Sequence, residues 1–309
     1  MKEILITGGA GFIGSALAKK LLVMNYKVII IDNLSTGKEI NIPNHKNCKF
    51  YVSDVNQEKK MKYIFKKYNL SYVFHFAACV GVNRTLENPL KVLEDIEGFK
   101  NIFKLCMLSK INRIFFSSSS EVYGEPVKMP QHEESTPLNS RLPYAVVKNI
   151  GESFCKSFNY QYKLNFTIFR FFNTYGLNQS ENFVINLFIQ KALKNNNIHI
   201  YGNGKQSRTF CYIDDNIEAI ISCFENKLFV NQTVNIGNNK ITTVLDLAKK
   251  IINITKSKSK IVFLEPLKEG DMKRRQPDIS KMKKLLKRKF ISLDEGQYSI
   301  LNLKKYGRN

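Results

Sequence analysis

The chain lacks several features that would each assign it to a class of protein. It contains no run of about 18 apolar residues, which excludes a membrane span. Its six cysteines are scattered without a CxxC pair, so neither a disulfide framework nor a zinc framework is expected and reduced thiols are the default. The sequence enters a strand-and-glycine pattern at once, without the apolar segment and cleavage site of a signal peptide. We therefore expect a cytoplasmic globular protein without a metal site.

Acidic residues are scarce beside basic ones, 26 against 48, and the formal net charge is +22. Such a charge permits binding to nucleic acid or to anionic substrates. Lysines are spread along the whole chain, however, and the densest cluster, between Lys268 and Lys289, predicts a solvated helix face with a phosphate contact. No zinc-finger spacing or RRM signature is present, so a nucleic-acid-binding protein is only an alternative.

The 309 residues, 43% of them hydrophobic, suffice for one large α/β domain with an appendage or for two small domains. Short apolar runs alternate with helical stretches, which predicts right-handed βαβ units and a doubly wound parallel sheet. Beyond Tyr175 the pattern loosens and predicts a smaller α+β lobe. The strands predicted for the sheet are 2–7, 27–31, 48–52, 72–76, 113–116 and 165–171, with helices at 12–24, 58–68, 89–109 and around 144–162. For the lobe they are 198–201, 233–236 and 260–263, with helices at 183–195, 214–225 and 244–254.

Three glycines, Gly8, Gly11 and Gly14, follow the first predicted strand and open the first helix. They permit a tight turn, a close approach of a pyrophosphate and close helix–strand packing, and the N–H groups of the helix start, at Phe12 and Ile13, suit phosphate oxygens. Asp32 ends the second strand, where an acid can accept hydrogen bonds from ribose hydroxyls and repel a 2′-phosphate. This pattern predicts binding of NAD rather than NADP. A structural turn with a helix-capping Asp32 is the alternative.

Seven ordered motifs resemble the NAD-dependent nucleotide-sugar epimerase/dehydratase family of the extended short-chain dehydrogenases/reductases. The resemblance implies a Rossmann-type NAD-binding domain over 1–175, with a strand or helix near 205–225 returning to it, and a nucleotide-sugar-binding lobe over 176–309. It also implies a homodimer, by analogy alone. The motifs are TGGAGFIG at 7–14, DNLSTG at 32–37, HFAA at 75–78, SSSSEVYG at 117–124, YAVVK at 144–148, FRFFNTYG at 169–176 and SRTFCYIDD at 207–215.

Further coenzyme contacts are expected where the other strands end. Asp54, in VSDV after the third strand, could meet the adenine amino group, although a strand-end cap is nearly as good an explanation. The other expected contacts are Asn33, Val55, Ala77 and Ala78. His75 is interpreted as a buried core histidine, and Cys79 is given no role.

Tyr144 and Lys148 are four residues apart and so lie on one helix face. A phenol with a pKa of about 10 is a poor base at neutral pH, but a nearby ammonium and a positive nicotinamide favour the phenolate. In the resembled family this tyrosine takes the proton of the sugar C4 hydroxyl while the C4 hydride passes to NAD⁺, and the lysine also holds the nicotinamide ribose. Ser119 aligns with the Ser/Thr that hydrogen-bonds the reacting oxygen, with Ser118 as the alternative in this run of serines.

The reaction that follows C4 oxidation is left open between two alternatives. Glu121, together with Ser119, Ser120 and the segment 269–281, resembles UDP-glucuronate decarboxylases, whereas 82–89 and 143–148 resemble UDP-hexose 4-epimerases. Both begin with a 4-keto intermediate, and we favour the epimerase slightly. A 4,6-dehydratase is disfavoured, because Ser120 stands where dehydratases carry an aspartic acid that protonates the departing C6 hydroxyl. A non-catalytic NAD-binding regulator is disfavoured by the intact Tyr144–Lys148 pair.

The resemblance implies a UDP-linked sugar as substrate, and its diphosphate is a group that guanidinium groups bind well. Arg208 and either Arg274 or Arg275 match arginines that contact phosphate in the family, and Asn173 matches an asparagine at the same phosphates. Arg84 could approach the sugar or diphosphate, with a solvated loop as an equal alternative. Ser119 and Ser120 complete the expected substrate contacts.

Overall fold

Seven strands form the central sheet of the computed structural model, which describes residues 2–80, 85, 87–266 and 274–306. The strand order is β11-β6-β5-β4-β1-β2-β3, and the pairs β1–β2, β2–β3, β1–β4, β4–β5 and β5–β6 are parallel. The order reverses between β1 and β4, which is the arrangement of a Rossmann-type sheet. The strands are β1 Glu3–Thr7, β2 Lys27–Asp32, β3 Cys48–Val52, β4 Leu70–His75, β5 Arg113–Ser119, β6 Phe166–Phe171 and β11 Gln232–Ile236.

Helices connect these strands and cover the sheet. The central strands are nearly continuous apolar runs, such as ILIT in β1 and VIIID in β2, because both faces of a parallel sheet are buried. The helices are α1 Phe12–Val23, α2 Glu58–Lys67, α3 Pro89–Leu93, α4 Asp95–Leu108, α5 Pro143–Tyr162, α6 Val184–Leu193, α7 Ile213–Glu225, α8 Val244–Thr255, α9 Ser280–Leu285 and α10 Leu293–Tyr306. Among the described residues, no helix has the length and apolar character needed to cross a bilayer.

The long helix α5 packs directly on β5, and Gly151 is the point of closest approach. A Cβ atom at this position would overlap the ring of Phe116. That ring cannot move aside freely, because its neighbours include Phe99 and Phe103 at ring-centroid distances of 5.4 and 6.4 Å. Glycine costs an interior helical position about 1 kcal/mol relative to alanine, but overpacking a core typically costs 1–3 kcal/mol. The close approach therefore outweighs the lost helix propensity, and it sets the height of α5 above the sheet.

The chain forms two compact units. The first consists of residues 1–122, 138–171 and 220–234, and it holds β1 to β6 with α1 to α5. The second consists of 123–137, 172–219 and 235–309. Its small sheets pair β7 Thr174–Tyr175 with β10 Cys211–Tyr212, β8 Ile198–Tyr201 with β13 Ile261–Leu264, and β9 Ser207–Thr209 with β12 Ile241–Thr243. The functional division predicted from sequence, between 1–175 and 176–309, stays a prediction.

The predicted doubly wound parallel sheet is confirmed, and two element assignments were wrong. The stretch 89–109 contains two helices, α3 and α4, which are separated at Glu94. Residues 233–236 belong to β11 at the edge of the large sheet and not to one of the small sheets. Short apolar runs of this kind have the same pattern in any sheet, so the sequence does not identify their partner. Strands β7, β9, β10 and β12, with two or three residues each, are too short to show a period and were missed.

Candidate active site

The turn between β1 and α1 contains the first candidate site. Gly8 has φ +72°, a conformation that favours glycine, and a Cβ there would lie 2.6 Å from the backbone nitrogen of Ala77. A Cβ on Gly14 would overlap the carbonyl oxygen of Gly8, so the helix start needs glycine there to pack against the turn. The N-cap of α1 is Gly11, which has no side chain to cap the N–H groups of the first turn.

The start of α1 presents backbone donors to this turn. The first N–H groups of a helix, here those of Phe12, Ile13 and Gly14, have no acceptor within the helix. The N–H of Ser15 is the first to bond inside the helix, to the carbonyl of Gly11 at 3.0 Å. Oriented donors and the positive end of the helix dipole suit an anion. The cradle that the glycines leave open therefore fits the diphosphate of a dinucleotide.

Asp32 ends β2 beside this cradle and is 8% exposed. Its carboxylate accepts hydrogen bonds from the N–H groups of Ala10 at 3.0 Å and of Leu34 at 2.8 Å. Burial raises the pKa of Asp32, and the backbone hydrogen bonds from Leu34, Ala10 and Gly11 oppose this rise. The two oxygens of a carboxylate together offer about four acceptor positions, so Asp32 keeps capacity beyond these backbone N–H groups. The geometry thus leaves room for both explanations of Asp32, a cap of the turn and an acceptor for ribose hydroxyls.

The ends of β3 and β4 place the remaining expected coenzyme contacts. Asp54 accepts hydrogen bonds from the side-chain amide of Asn33 at 2.7 Å and from the N–H of Asn56 at 2.8 Å, so it closes a strand-end turn. Val55 follows it and is half-buried. Ala77 donates its N–H to the hydroxyl of Thr7 at 3.3 Å, and Ala78 is half-buried beside it. Asn33 and Asp54 are thus brought together, and their roles toward a coenzyme stay predictions.

Lys148 lies on the buried face of α5 and is 1% exposed. Its ammonium donates to the carbonyl of Ser117, near the end of β5, at 2.6 Å. The Nζ atom is 5.9 Å from the centre of the Tyr144 ring and 5.2 Å from that of Phe116. Burial lowers the pKa of Lys148 from 10.5 to about 8, although the carboxylates of Asp95 and Glu152 raise it. The structure therefore brings the predicted pair together, with the ammonium held against the strand end.

Two carboxylates that the sequence analysis missed bear on this lysine. Glu152 follows Lys148 by one helical turn, so an acid four residues on was a signal available in the sequence. Asp95 begins α4 and accepts the N–H of Cys79 at 2.9 Å, and burial raises its pKa. Its proximity to Lys148 depends on how α4 packs, which no local pattern reveals.

The serines at the end of β5 differ in their surroundings. Ser119 accepts the N–H of Glu121 at 3.2 Å, which leaves its own hydroxyl hydrogen available to a further acceptor. Ser118 donates instead to the carboxylate of Glu152 at 2.6 Å and is 2% exposed. Ser120 is also buried, and Glu121 is half-buried. Of the two candidates for a donor to a reacting oxygen, the geometry favours Ser119, because the Ser118 hydroxyl is already committed.

The second unit holds the expected diphosphate contacts. The side-chain amide of Asn173 donates to the carbonyl of Thr209 at 2.9 Å, so it secures the end of β9. Arg208 on β9 is half-buried and donates to the carbonyl of Ser207 at 2.8 Å. Arg274 is exposed, whereas its neighbour Arg275 is buried. Arg84 lies outside the described residues, as do half of 82–89 and part of 269–281. The substrate roles of these residues stay predictions.

A group with the chemistry of metal ligands also occurs in the second unit. His132, Glu133 and Asp278 place their ligand atoms within 4.8 Å of one another. Glu133 accepts the N–H of Asn235 at 2.9 Å, and Asp278 accepts that of Ser280 at 2.8 Å. Both carboxylates hold backbone groups, so the cluster has a structural role, and acidic groups this close together are common in proteins without a bound ion.

Comparison with known proteins matches nearly the whole chain. The family model described as "NAD dependent epimerase/dehydratase family" matches residues 4–237. A Methanocaldococcus jannaschii protein named "Putative UDP-glucose 4-epimerase" is 36% identical over 305 residues, which cover 97% of this chain and 97% of that protein. UDP-glucuronic acid decarboxylase 1 of Danio rerio is 32% identical over 309 residues, 96% of this chain and 71% of that protein. The crystal structure of UDP-glucose 4-epimerase from Thermotoga maritima, with UDP-glucose, has a TM-score of 0.93 and 32% identity, and covers 99% of this chain and 100% of that one.

Replacing Asp32 tests its role against its structural alternative. Asp32→Asn keeps an acceptor for a backbone N–H but removes the charge that would repel a 2′-phosphate. We expect the ratio of NADP to NAD dissociation constants to fall at least about tenfold, which corresponds to about 1.4 kcal/mol. Calorimetric titration with each coenzyme measures this ratio. Asp54→Asn is the matched control, with a smaller expected change, and an unchanged ratio for Asp32→Asn would leave only the capping role.

The burial of Lys148 predicts how stability depends on pH. Its pKa is about 8 in the folded state and 10.5 ordinarily, so the unfolded chain binds more protons between these values. The penalty for burying the ammonium is therefore fully present below about pH 8 and is relieved as the pH rises. From about pH 7 to about pH 9.5, we expect the free energy of unfolding of the wild type to rise by about 2 kcal/mol relative to Lys148→Met. Urea denaturation of both proteins measures the difference; a difference independent of pH would refute the lowered pKa.

Proposed function

This chain belongs to the NAD-dependent epimerase/dehydratase family, and we propose that within it the protein is a UDP-hexose 4-epimerase. Membership makes the chain an NAD-dependent enzyme that modifies nucleotide sugars. The observation that carries the proposal is the buried Lys148, bonded to the end of β5 and facing the ring of Tyr144. This arrangement suits the oxidation of a sugar alcohol at C4.

The residues that would hold NAD surround the turn after β1. The N–H groups of Phe12, Ile13 and Gly14 would bind the diphosphate beside the turn of Gly8 and Gly11, and Asp32 would bind the adenosine ribose. Bound there, NAD supplies the chemistry of accepting a hydride from C4 and returning it. Around the adenine and the nicotinamide we assign Asn33, Asp54, Val55, Ala77, Ala78 and Lys148.

The residues of this chain then handle the proton at O4. Tyr144, as a phenolate, takes the proton of the C4 hydroxyl when the sugar is oxidised and gives it back when the ketone is reduced. Ser119 donates its free hydroxyl hydrogen to O4 and so orients it. The ammonium of Lys148 stabilises the phenolate by its charge. Burial lowers the pKa of Lys148 to about 8, so we expect kcat to decline at higher pH, where the ammonium is lost.

Residues beyond this shared step decide what becomes of the ketone. Ser120 is 1% exposed and stands where an elimination would require an acid. A serine hydroxyl is far too weak an acid to protonate a departing hydroxide, so we do not propose a 4,6-dehydratase. Inversion of C4 requires the keto sugar to turn so that its opposite face receives the hydride, and it needs no further acid or base from this chain. The 36% identical relative and the similar crystal structure support this outcome.

UDP-glucuronate decarboxylation is the second candidate, because of Glu121. Glu121 is half-buried and follows Ser119 and Ser120 in the sequence. At this position the sequence resembles the decarboxylases. The Danio rerio relative supports this candidate. In that reaction the 4-keto sugar is a β-keto acid: the C5–C6 bond breaks, CO₂ leaves, and C5 takes up a proton.

Residues of the second unit would bind the nucleotide part of the substrate. Asn173, Arg208 and Arg274 would contact the diphosphate, with Arg84 and Ser120 nearer the sugar. The UDP moiety is proposed from the names of the relatives. Calorimetry with UDP alone tests it, since Arg208→Gln should weaken binding of UDP while binding of NAD is unchanged.

Assembly and location complete the proposal. Exposed apolar side chains occur along α3 to α5, with Leu90 78% and Tyr160 85% exposed. A homodimer formed through these helices would bury them, and this supports the proposed dimer. A monomer mass in light scattering would contradict it. The six cysteines are scattered along the sequence without a CxxC pair, which supports a reducing compartment, the cytoplasm; cell fractionation tests this.

An assay in D₂O separates the candidate reactions. A 4-epimerase returns the same hydride to C4, so we expect a C4-inverted product without deuterium at C4 or C5. Decarboxylation of UDP-glucuronate would instead give a pentose with deuterium at C5 and release CO₂. Each UDP-sugar is incubated with enzyme and NAD, and the products are identified by NMR and mass spectrometry.

The tyrosine supplies the control for that assay. Tyr144→Phe keeps the ring and loses the hydroxyl, and we expect turnover to fall by roughly 10²–10⁴ while NAD still binds. Turnover equal to the wild type would overturn the assignment of the base. Failure of the wild type to convert UDP-glucose, UDP-galactose and their N-acetyl forms would overturn the epimerase.

A further inference from the structure

Beneath the candidate site lies a fully buried ion pair that the proposed reaction does not use directly. Glu152 on α5 is 0% exposed, one helical turn beyond Lys148 on the same face. Its carboxylate accepts two hydrogen bonds from the guanidinium of Arg170 on β6, at 2.8 and 2.6 Å. It accepts a third from the hydroxyl of Ser118 on β5, at 2.6 Å. The cluster of Ser118, Glu152 and Arg170 thus joins three elements in one network.

Stability alone explains this network poorly. Desolvating two charges is expensive, and replacing a buried ion pair with apolar residues of similar volume is often neutral or stabilising. The positions of its members suggest another role. Ser118 lies between Ser117, whose carbonyl accepts the Lys148 ammonium, and Ser119, the candidate donor to O4. Because side chains alternate along a strand, holding the Ser118 side chain fixes the orientation of both neighbours.

We propose that Glu152 is a positioning residue for the C4 oxidation: clamped by Arg170 and bonded to Ser118, it holds α5 on the end of β5 so that Lys148 and Ser119 keep their places. This inference rests on the proposed function of Tyr144, Lys148 and Ser119. Glu152 reaches the reaction only through these residues.

The charges around Lys148 give the proposal a distinctive readout. Asp95 faces it from α4 and Glu152 from its own helix, and both raise its pKa against the effect of burial. His75 on β4 is neutral, since burial lowers its pKa to about 3. Arg170 on β6 is the cation that Glu152 balances. Removing the charge of Glu152 leaves this cation uncompensated and lowers the pKa of Lys148 further.

The test compares three variants in the full-length enzyme with NAD. Glu152→Gln keeps the shape and removes the charge. We expect kcat to fall roughly tenfold with little change in KM, and the alkaline limb of the kcat–pH profile to move down by about one pH unit. Ser118→Ala removes only the hydroxyl, and we expect a smaller fall in kcat with the limb in place. Asp215→Asn is the control: it weakens the ion pair between the buried carboxylate of Asp215 and the partly exposed Arg288 in the second unit, at 2.7 Å, and should lower the melting temperature without changing the limb.

A direct titration separates this inference from the proposed function. The ¹³Cε signal of Lys148, assigned by its loss in Lys148→Met, reports the pKa without any turnover. If the wild type converts no UDP-sugar but the pKa of Lys148 is lower in Glu152→Gln, the proposed function is overturned and the effect of Glu152 on Lys148 stands. An unchanged pKa and unchanged kcat in an active enzyme would overturn the inference. If Glu152→Gln does not fold, Glu152→Met with Arg170→Met removes both charges, and wild-type kcat in that double variant is the overturning result.

Discussion

Burial of one ammonium group at the end of a strand is the constraint on which the candidate site depends. Lys148 is removed from water by α5, and its hydrogen bond to the Ser117 carbonyl keeps it at the carboxyl end of the sheet. Burial lowers the pKa of Lys148 to about 8, so the charge of this ammonium changes with pH near the physiological range. The close approach of Gly151 to Phe116 gives this burial its geometry, since a bulkier residue would lift the helix away.

The parts of the fold that the sequence predicts are those governed by local constraints. Continuous apolar runs identify β1 and β2, and the turn at Gly8 requires a residue that accepts positive φ. The Tyr144–Lys148 pair is visible because helical spacing is local. Asp95 was missed because its effect on Lys148 arises only when α4 packs. The partner of β11 and the break between α3 and α4 were missed for the same reason: tertiary contacts decide them.

Several residues that the sequence analysis assigned to ligands also hold the backbone. Asp32 accepts two backbone N–H groups, Asp54 closes a turn, and the amide of Asn173 secures β9. These contacts do not compete with binding, because carboxylate and amide oxygens can accept more than one donor. They fix each group in one orientation before a ligand arrives, which reduces the free energy lost in ordering the site. A structural explanation and a functional one are therefore complementary at such positions.

In the proposed function, the residues that oxidise C4 differ from those that decide what happens to the 4-keto sugar. In that proposal, Tyr144, Lys148 and Ser119 act on O4, and they would serve any reaction that passes through a 4-keto sugar. The outcome depends on what stands near C5 and C6. Ser120 cannot act as the acid that a 4,6-elimination requires, so this chain is not expected to dehydrate the sugar. Glu121, directly after Ser120, is the residue of this chain that keeps decarboxylation a candidate beside epimerisation. Because both reactions share the oxidation at C4, the substrate's own C6 group separates them: a C6 carboxylate can leave as CO₂ from the 4-keto intermediate, and a C6 carbinol cannot.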